Sequence, residues 1–365
     1  MSHKESQWLD QPKDVRDEDQ FDLVALDQWL RDQGLELAPE LPEVKQYSKG
    51  ASNLTYQLTY ANQVLVMRCP PKGQKAASAH DMVREYRIQS MLANAIKSVP
   101  NMLALCEDEG VIGSKFYVME HVPGLILRAN LPHGLSLPQD RVRELCLTAI
   151  DQLIELHQVD IQATGLEALG KGSGYNQRQI EGWCGRFVKA KTWNVAPGKR
   201  VMRWLQANCP PEIKLCMIHG DYRFDNLVLK PNLTTPAEPV EIRAILDWEL
   251  ATIGDPMMDL GNSMAYWVEA NDDFYFRNFR RQPTHLAGML TRDEVVEYYC
   301  DRMGFTSDHW PFYEVYGLFR LAVIAQQIYY RYHHGQTTNP QFKHFWVAVN
   351  YLLWRCTRVI NKSRI

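Results

Sequence analysis

The stretch HGDYRFDN at residues 219–226 is followed closely by ILDWE at residues 245–249. An Asp with an Asn five positions later, and then a second Asp at the end of an apolar run, supplies three short oxygen-bearing side chains: Asp221, Asn226 and Asp247. Short oxygen ligands suit a hard cation that keeps several of its waters. Phosphoryl transfer requires this pattern, because one carboxylate orients a hydroxyl while an amide and a second carboxylate hold Mg²⁺ against phosphates.

Three short apolar runs flank these side chains, at residues 215–218, 227–229 and 242–246. The segment 231–239 between the second and third runs is rich in Pro and predicts a turn. This order of strand, turn and strand would bring the side chains of Asp221 and Asp247 to the same rim of the fold. Each motif alone has a structural alternative, a turn at His-Gly-Asp and a strand-end cap at Asp247, but the joint arrangement favours chemistry.

Taken together, HGDYRFDN and ILDWELATIGDPMMDLG (residues 245–261) resemble the aminoglycoside phosphotransferase and choline kinase-like family. The resemblance extends from about residue 42 to the C-terminus. It implies an α+β, protein kinase-like bilobal fold, with a small N-terminal lobe built on an antiparallel sheet and a larger, mostly helical C-terminal lobe. It also implies Mg²⁺ and ATP or GTP as co-substrate, with Asp221 as the catalytic residue and Asn226 and Asp247 as metal ligands.

The other polar residues of the two motifs are expected to support the structure. His219 is predicted to fix the loop backbone rather than transfer a proton, and Asp225 receives no chemical role. Asp255 and Asp259 lie near the start of a predicted helix that runs through Trp267, where an Asp caps exposed N–H groups. The resemblance adds that this segment braces the catalytic loop.

A kinase-like fold requires a phosphate-binding hairpin upstream, and KGASNLTYQL at residues 49–58 is the candidate. Gly50 and the small Ser52 would allow close backbone approach to phosphates, with Asn53 beside them. A single Gly replaces the G-x-G-x-x-G of kinases. An ordinary hairpin turn remains the alternative.

The next predicted strand, residues 64–71, carries Arg68 where kinases carry a Lys. A guanidinium is a planar fork that stays charged, and it binds phosphate through two N–H groups. The kinase-like domain associated with acyl-CoA dehydrogenases looks similar here, with an Arg followed by a Pro-rich turn. Lys72 and Lys75 are weaker alternatives for the phosphate ligand.

Glu85 is the predicted partner of Arg68, because residues 79–92 read as the helix that follows the strand. Ion pairing between the two would orient the phosphate ligand. A solvated Glu in surface contact with Arg84 or Arg87 is the alternative.

The strand at residues 116–122 ends in a Pro-Gly break and fits the hinge between two lobes. Backbone groups near Glu120 and Val122 would then read the edge of adenine or guanine. Met119 would then be a core or gate residue. The structural alternative is a buried edge strand.

The length of 365 residues suits two lobes of one catalytic unit. We expect a nucleotide-binding lobe at residues 1–120, with an N-terminal helix at about 21–33, and a catalytic and acceptor-binding lobe at 121–365. The apolar periodicity of residues 138–159 predicts the central helix of the larger lobe, with His157 as its C-terminal cap.

Composition excludes several classes of protein. The net charge of −3 provides no broad basic surface for nucleic acid or an anionic membrane. No apolar stretch is long enough to cross a bilayer, and residues 1–18 do not read as a secretory signal. Eight cysteines without a C-x-x-C pair indicate reduced, mostly buried thiols in a cytoplasmic protein, and no histidine spacing indicates zinc. The sequence does not fix the oligomeric state.

The aromatic-rich segment 264–354 is expected to be the core of a helical acceptor-binding subdomain. Its acidic residues are balanced by arginines, so a polycationic acceptor such as an aminoglycoside is disfavoured. An acceptor with an apolar body and an anionic part, such as a hydroxyacyl thioester, fits better. The sequence therefore predicts a phosphotransferase that moves the γ-phosphate to a hydroxyl of a small molecule. A pseudokinase remains open because of Arg68 and the glycine-poor loop, whereas a protein kinase is disfavoured by the missing activation-loop insertion.

Overall fold

A computed structural model of the chain describes residues 5–47, 53–71 and 81–363. The chain forms two compact units, each built from discontinuous segments. The first unit comprises Met1–Leu127, Leu131–Leu137 and Asp225–Ala251, and the second comprises Arg128–Asn130, Pro138–Phe224 and Thr252–Ile365. The predicted division into lobes after residue 120 stays a prediction.

The secondary structure follows the expected order, with strands first and helices concentrated later. The strands are β1 Lys13–Asp14, β2 Glu43–Tyr47, β3 Leu54–Thr59, β4 Val64–Cys69, β5 Met102–Cys106, β6 Phe116–Glu120, β7 Cys216–Ile218, β8 Leu227–Leu229, β9 Ile242–Ile245 and β10 Thr252–Gly254. The α-helices are α1 Leu23–Asp32, α2 Met82–Leu92, α3 Gln139–His157, α4 Tyr175–Lys189, α5 Lys199–Ala207, α6 Pro256–Met264, α7 Phe274–Asn278, α8 Arg292–Met303, α9 Trp310–His333 and α10 Phe345–Lys362.

The first unit contains a six-stranded antiparallel sheet in the order β1-β2-β3-β4-β6-β5. The predicted N-terminal helix is α1. It begins after Asp22, whose carboxylate accepts the N–H of Ala25, and it ends just before Gly34, which adopts a φ of +85°. Leu26 and Leu30 of α1 are fully buried against one face of the sheet.

Strand β4 lies in the middle of this sheet, and its two faces serve different purposes. Leu65, Met67 and Cys69 belong to the core cluster beneath α1. Val66 lies on the opposite face and packs with Met82, the first residue of α2. Because side chains alternate along a strand, Arg68 lies on the same face as Val66, toward α2.

The hairpin of β8 and β9 belongs to the first unit and pairs antiparallel, with Leu227 opposite Ile245. Leu229 also bridges Leu125 through two hydrogen bonds of 2.8 Å. Gly124 is required at this approach, because a Cβ there would lie 2.5 Å from the carbonyl oxygen of Leu229. The predicted Pro-Gly break thus allows the chain after β6 to join the hairpin.

The second unit is mainly helical and contains a two-stranded sheet of β7 and β10. The three strands predicted around the motifs are all formed, but they do not make one sheet. Strand β7 pairs with β10, whereas β8 pairs with β9. The predicted central helix is confirmed as α3.

The aromatic C-terminal segment forms the core of the second unit, as expected. The buried rings of α9 are Phe312, Tyr313, Tyr316, Phe319 and Tyr329. A smaller group stays exposed, comprising Phe274, Tyr275, Phe279 and Trp354. None of the helices in the described part of the chain has the length and apolar character needed to cross a membrane. The eight cysteines, all in described residues, are free thiols.

Helices α6 and α9 pack with their backbones in near contact at Gly261 and Gly317. A Cβ on Gly317 would lie 2.0 Å from the carbonyl oxygen of Gly261. We expect Gly317→Ala to lower the free energy of unfolding by about 3 kcal/mol, because rigid backbone must move to admit the methyl group. Gly185→Ala in α4 is the matched control: its Cβ meets nothing within 4 Å, so the higher helix propensity of Ala should raise stability by about 0.5–1 kcal/mol. Urea denaturation measures both, and an equal effect of the two substitutions would contradict this packing.

Candidate active site

Arg68 and Glu85 form the predicted ion pair inside the first unit. The Nη1 of Arg68 donates to Oε1 of Glu85 at 2.6 Å, and both side chains are buried. The hydroxyl of Tyr117, on β6 beside β4, donates to the same oxygen at 2.8 Å. The alternative of a solvated Glu85 is wrong, since only 2% of the residue is exposed. Its role in nucleotide binding stays a prediction.

The guanidinium of Arg68 also contacts the second motif. Its Nη2 donates to Oδ1 of Asp247 at 3.1 Å. Burial alone would lower the pKa of Arg68, but the carboxylates of Glu85 and Asp247 hold that pKa well above its usual value. Burial also pushes the pKa of Glu85 upward, and the nearby guanidinium opposes that rise. The guanidinium of Arg68 stays charged, because it does not deprotonate in proteins.

Asn226 and Asp247 lie at the same end of the β8–β9 hairpin. Asn226 directly precedes β8, and its carbonyl accepts the N–H of Leu246 at 2.8 Å, one residue before Asp247. Asp247 has a left-handed backbone, with φ of 68° and ψ of 60°, and it is the only non-glycine residue with positive φ in the described ranges. Such a conformation costs free energy and is typical of functional positions.

Asn53, the one predicted phosphate-loop residue within the described ranges, lies beside the second motif. Its Nδ2 donates to Oε2 of Glu249 at 3.2 Å. Gly50 and Ser52, and the alternatives Lys72 and Lys75, lie outside the described residues.

Arg84 of α2 also reaches the second motif, where it donates to the backbone carbonyls of Glu249 and Ala251. The sequence indicated only a surface role for Arg84. The structure shows that α2 supports the segment around Asp247 through a second arginine.

Glu120 and Val122, the predicted hinge residues, lie at and just beyond the end of β6. The carboxylate of Glu120 accepts hydrogen bonds from the backbone and the side-chain amide of Asn101, at 3.0 and 2.9 Å. Its own N–H donates to the carbonyl of Asn101 at 2.9 Å. Val122 is half-buried in irregular structure. The reading of a base edge by these residues stays a prediction.

Asp221 belongs to the second unit, in the loop that follows β7. Its Oδ2 accepts a hydrogen bond from Nη2 of Arg223 at 3.1 Å, and 17% of its side chain is exposed. The Nδ1 of His219 accepts the backbone N–H of Asp221 at 3.2 Å, which confirms the prediction that His219 fixes the loop. Gly220 between them has a φ of +81°, which favours glycine.

Asp259 braces this loop from α6. One carboxylate oxygen accepts the N–H of His219 at 2.9 Å, and the other accepts the N–H of Gly220 at 2.8 Å. Its predicted role as a helix cap is wrong, whereas Asp255 does cap α6 by accepting the N–H of Met257. Burial would raise the pKa of Asp259, but contacts with His157 and the loop N–H groups hold it below its usual value.

His157 links the central helix to this brace. It is fully buried, with Nε2 3.2 Å from Asp259 and Nδ1 2.6 Å from the hydroxyl of Tyr299. The prediction that His157 caps α3 is therefore wrong. The signal that sequence reasoning missed is a histidine on an apolar helix face, where a buried polar group needs partners.

Two further side chains hold the loop backbone. The Nη2 of Arg320, from α9, donates to the carbonyl of Gly220 at 2.7 Å. The Oε1 of Gln282 accepts the N–H of Phe224 at 2.9 Å. Neither residue carries a motif signal, because each reaches the loop from a distant part of the sequence.

The sequence of the chain matches a model of the phosphotransferase enzyme family over residues 43–295, which is more than half of its length. The chain belongs to the phosphotransferase enzyme family. The resemblance expected from its two motifs is confirmed, and its kinase-like fold is shared by solved members. A Ralstonia eutropha JMP134 protein, provisionally named an aminoglycoside phosphotransferase, superposes with a TM-score of 0.78 at 33% identity, covering 95% of this chain and 100% of the other.

Two other comparisons concern a solved structure that shares the fold and a longer protein that shares the sequence. The GDP complex of aminoglycoside 2′-phosphotransferase-IIIa superposes with a TM-score of 0.58 at 14% identity, covering 94% and 100% of the two chains, and so shows the fold alone. Acyl-CoA dehydrogenase family member 10 of Mus musculus is 38% identical over 300 residues, which cover 81% of this chain but 27% of the relative. The phosphotransferase chain thus spans about a quarter of the length of this curated relative.

We expect Asp259→Asn to lower the free energy of unfolding by about 3 kcal/mol, because it removes a buried charge that accepts two loop N–H groups. The contribution of Asp259 is complete above the unfolded-state pKa and is lost as pH falls through the lower folded-state pKa. The stability difference between wild type and variant should therefore shrink only in that acidic range. Urea denaturation at several pH values measures it, with the exposed Asp308→Asn as control. A difference that grows on acidification would contradict the brace.

Proposed function

We propose that the chain is an ATP- or GTP-dependent phosphotransferase that moves the γ-phosphate to a hydroxyl of a small molecule. The observation that carries the proposal is the contact of Arg68 with both Glu85 and Asp247, beside Asn226, in a family of phosphotransferases. We further propose nucleotide binding by a lobe at residues 1–120, and catalysis and acceptor binding by residues 121–365.

The nucleotide phosphates would be bound by Arg68, because its guanidinium is charged, oriented by Glu85 and able to make paired hydrogen bonds. Asn53, beside Glu249, would contact the phosphates together with Gly50 and Ser52. Backbone groups of Glu120 and Val122 would read the base. The GDP complex of a relative in fold supports a nucleotide co-substrate.

The donor set at the end of the β8–β9 hairpin fits Mg²⁺. Asn226 offers an amide oxygen and Asp247 a carboxylate. The hydrogen bond from Leu246, the residue before Asp247, to the carbonyl of Asn226 joins the backbones of the two segments. Mg²⁺ binds through one or two such groups and completes its shell with water and phosphate oxygens. When bound, the ion would neutralise charge on the phosphates. Arg68, 3.1 Å from Asp247, would then lie beside the same phosphates.

Asp221 would orient the acceptor by accepting a hydrogen bond from its hydroxyl, with Arg223 holding the carboxylate. The acceptor oxygen forms the new bond to the γ-phosphorus, the bond to the bridging oxygen breaks, and the hydroxyl proton passes to Asp221. Such transfer has a loose transition state, so positioning and electrostatics supply most of the acceleration.

Cations around Tyr266 support an acceptor with an anionic part. The guanidinium carbon of Arg223 lies 4.5 Å from the ring centroid of Tyr266. Burial and the negative charge of Asp221 raise the pKa of Tyr266. The positive charges of Arg223, Arg320 and Arg281 lower it in part. A hydroxyacyl thioester has the required hydroxyl and apolar body, and the name of the mouse relative supports it. The free cysteines support a cytoplasmic location.

We expect Asp221→Asn to reduce turnover by at least about a hundredfold, because the acceptor hydroxyl loses its proton acceptor. Nucleotide affinity should stay within a few-fold of wild type, since Asp221 is not assigned to the nucleotide. Transfer of labelled phosphate from ATP and GTP to a panel of hydroxyacyl thioesters and other alcohols measures turnover, with Asp308→Asn as control. Near wild-type turnover in Asp221→Asn would contradict the role, and nucleotide binding without transfer to any alcohol would favour a binding module.

A further inference from the structure

A cavity of about 410 Å³ opens in the second unit, where the N-terminal parts of α8 and α9 and the C-terminal part of α10 meet the loop before α7. Charged side chains dominate its lining: Asp272, Arg292, Glu314, Arg355, Arg358 and Lys362. None of these residues has a role in the proposed phosphoryl transfer. The side chains of Asp272, Arg292 and Arg355 are mostly buried, and burying charges is costly unless they are paired.

Part of this lining is a fixed ionic network. The Nη1 and Nη2 of Arg292 donate to the two carboxylate oxygens of Asp272 at 2.6 and 3.0 Å. Arg355 adds a third contact to Asp272 at 3.3 Å and lies 3.9 Å from the ring centroid of Phe276. Asp272 is thus neutralised by two guanidinium groups, which are themselves held in place.

The other cations have no such partner. Arg358 and Lys362 are exposed and lie one helical turn apart on α10. Neither forms an ion pair within the described ranges, although Arg358 lies 4.9 Å from the ring centroid of Trp354. Residues at this spacing share one face of a helix. Two like charges on one face repel each other, so an anion between them would relieve the repulsion.

Glu314 is the remaining carboxyl group of the cavity. Burial raises its pKa, against opposition from Arg292, Arg355 and Lys362 and with a small further rise from Asp293. Among the described residues, the carboxyl group of Glu314 forms no hydrogen bond and no ion pair. The cavity holds four cationic side chains against Asp272, Asp273 and Glu314, so its charge is positive even when all three carboxylates are ionised.

We propose that this cavity binds the phosphate or diphosphate group of a small molecule, between Arg358 and Lys362. Phosphate oxygens accept several charge-assisted hydrogen bonds at once, which suits a guanidinium fork beside an ammonium group. The volume exceeds that of an inorganic ion, so the cavity has room for an organic part attached to the phosphate. The cavity is a binding site and adds no chemical step.

The test is calorimetric titration of inorganic pyrophosphate into the full chain. In Arg358→Gln/Lys362→Gln the affinity should fall at least about tenfold, which corresponds to 1.4 kcal/mol. The matched control, Lys199→Gln/Arg203→Gln, removes the same charge at the same spacing from exposed positions of α5, outside this cavity. The control should bind like wild type. No binding by wild type, or equal weakening in both double variants, would overturn the proposal.

Glu314→Gln tests the same cavity through a substitution that should strengthen pyrophosphate binding. Removing a negative charge without changing the shape of the side chain should tighten pyrophosphate binding several-fold, because the repulsion of the anion is lost. Weaker binding in this variant, when it melts at the wild-type temperature, would show that the anion does not lie in this cavity.

Transfer assays distinguish a phosphate group that belongs to the acceptor from one that belongs to a separate ligand. This part of the test rests on the proposed function. Competition between pyrophosphate and a phosphate-bearing acceptor in wild type, lost in Arg358→Gln/Lys362→Gln, would show that the phosphate of the acceptor binds in this cavity. Binding without competition would show a separate ligand. The titrations stand whether or not transfer is observed, because they measure the binding of pyrophosphate and no chemical step.

Discussion

Burying a guanidinium is costly unless carboxylates surround it, and Arg68 meets this requirement by contacting Glu85 and Asp247 together. One interaction thereby fixes three elements of the first unit: strand β4, helix α2 and the segment after β9. The hydroxyl of Tyr117 binds the same oxygen of Glu85 and adds β6 to this set. If Arg68 were replaced by an apolar residue, the carboxylates of Glu85 and Asp247 would lose this counter-charge.

The loop that carries Asp221 depends on a different buried charge. In this tight turn Asp259 accepts the backbone N–H groups of His219 and Gly220. His157 contacts Asp259 from α3, and the hydroxyl of Tyr299 on α8 in turn holds His157. The segment of Asp247 in the first unit and the loop of Asp221 in the second unit are thus each held by a buried charged side chain, Arg68 and Asp259. Such support is expected where a reaction depends on positioning rather than on covalent chemistry.

The sequence predicts the ion pair of Arg68 and Glu85 better than it predicts the contacts that hold the loop of Asp221. The spacing of Asp221, Asn226 and Asp247 is local, and the alternation of β4 with the turn of α2 predicts the pair of Arg68 and Glu85. His157 and Asp259 are separated by 102 residues, so no local pattern connects them. The pairing of β7 with β10 is also non-local, and it divides strands that the sequence placed together.

We propose that Asp247, held by Arg68, completes a site for nucleotide phosphates and Mg²⁺. Calorimetric titration of ATP and GTP, with and without Mg²⁺, into wild type and Asp247→Ala tests it most directly. The account predicts Mg²⁺-dependent binding to wild type that weakens at least about tenfold in the variant, while thermal melting shows both proteins folded. Failure of folded wild type to bind either nucleotide, or equal binding by the variant, would contradict the account and leave the kinase resemblance as one of fold alone.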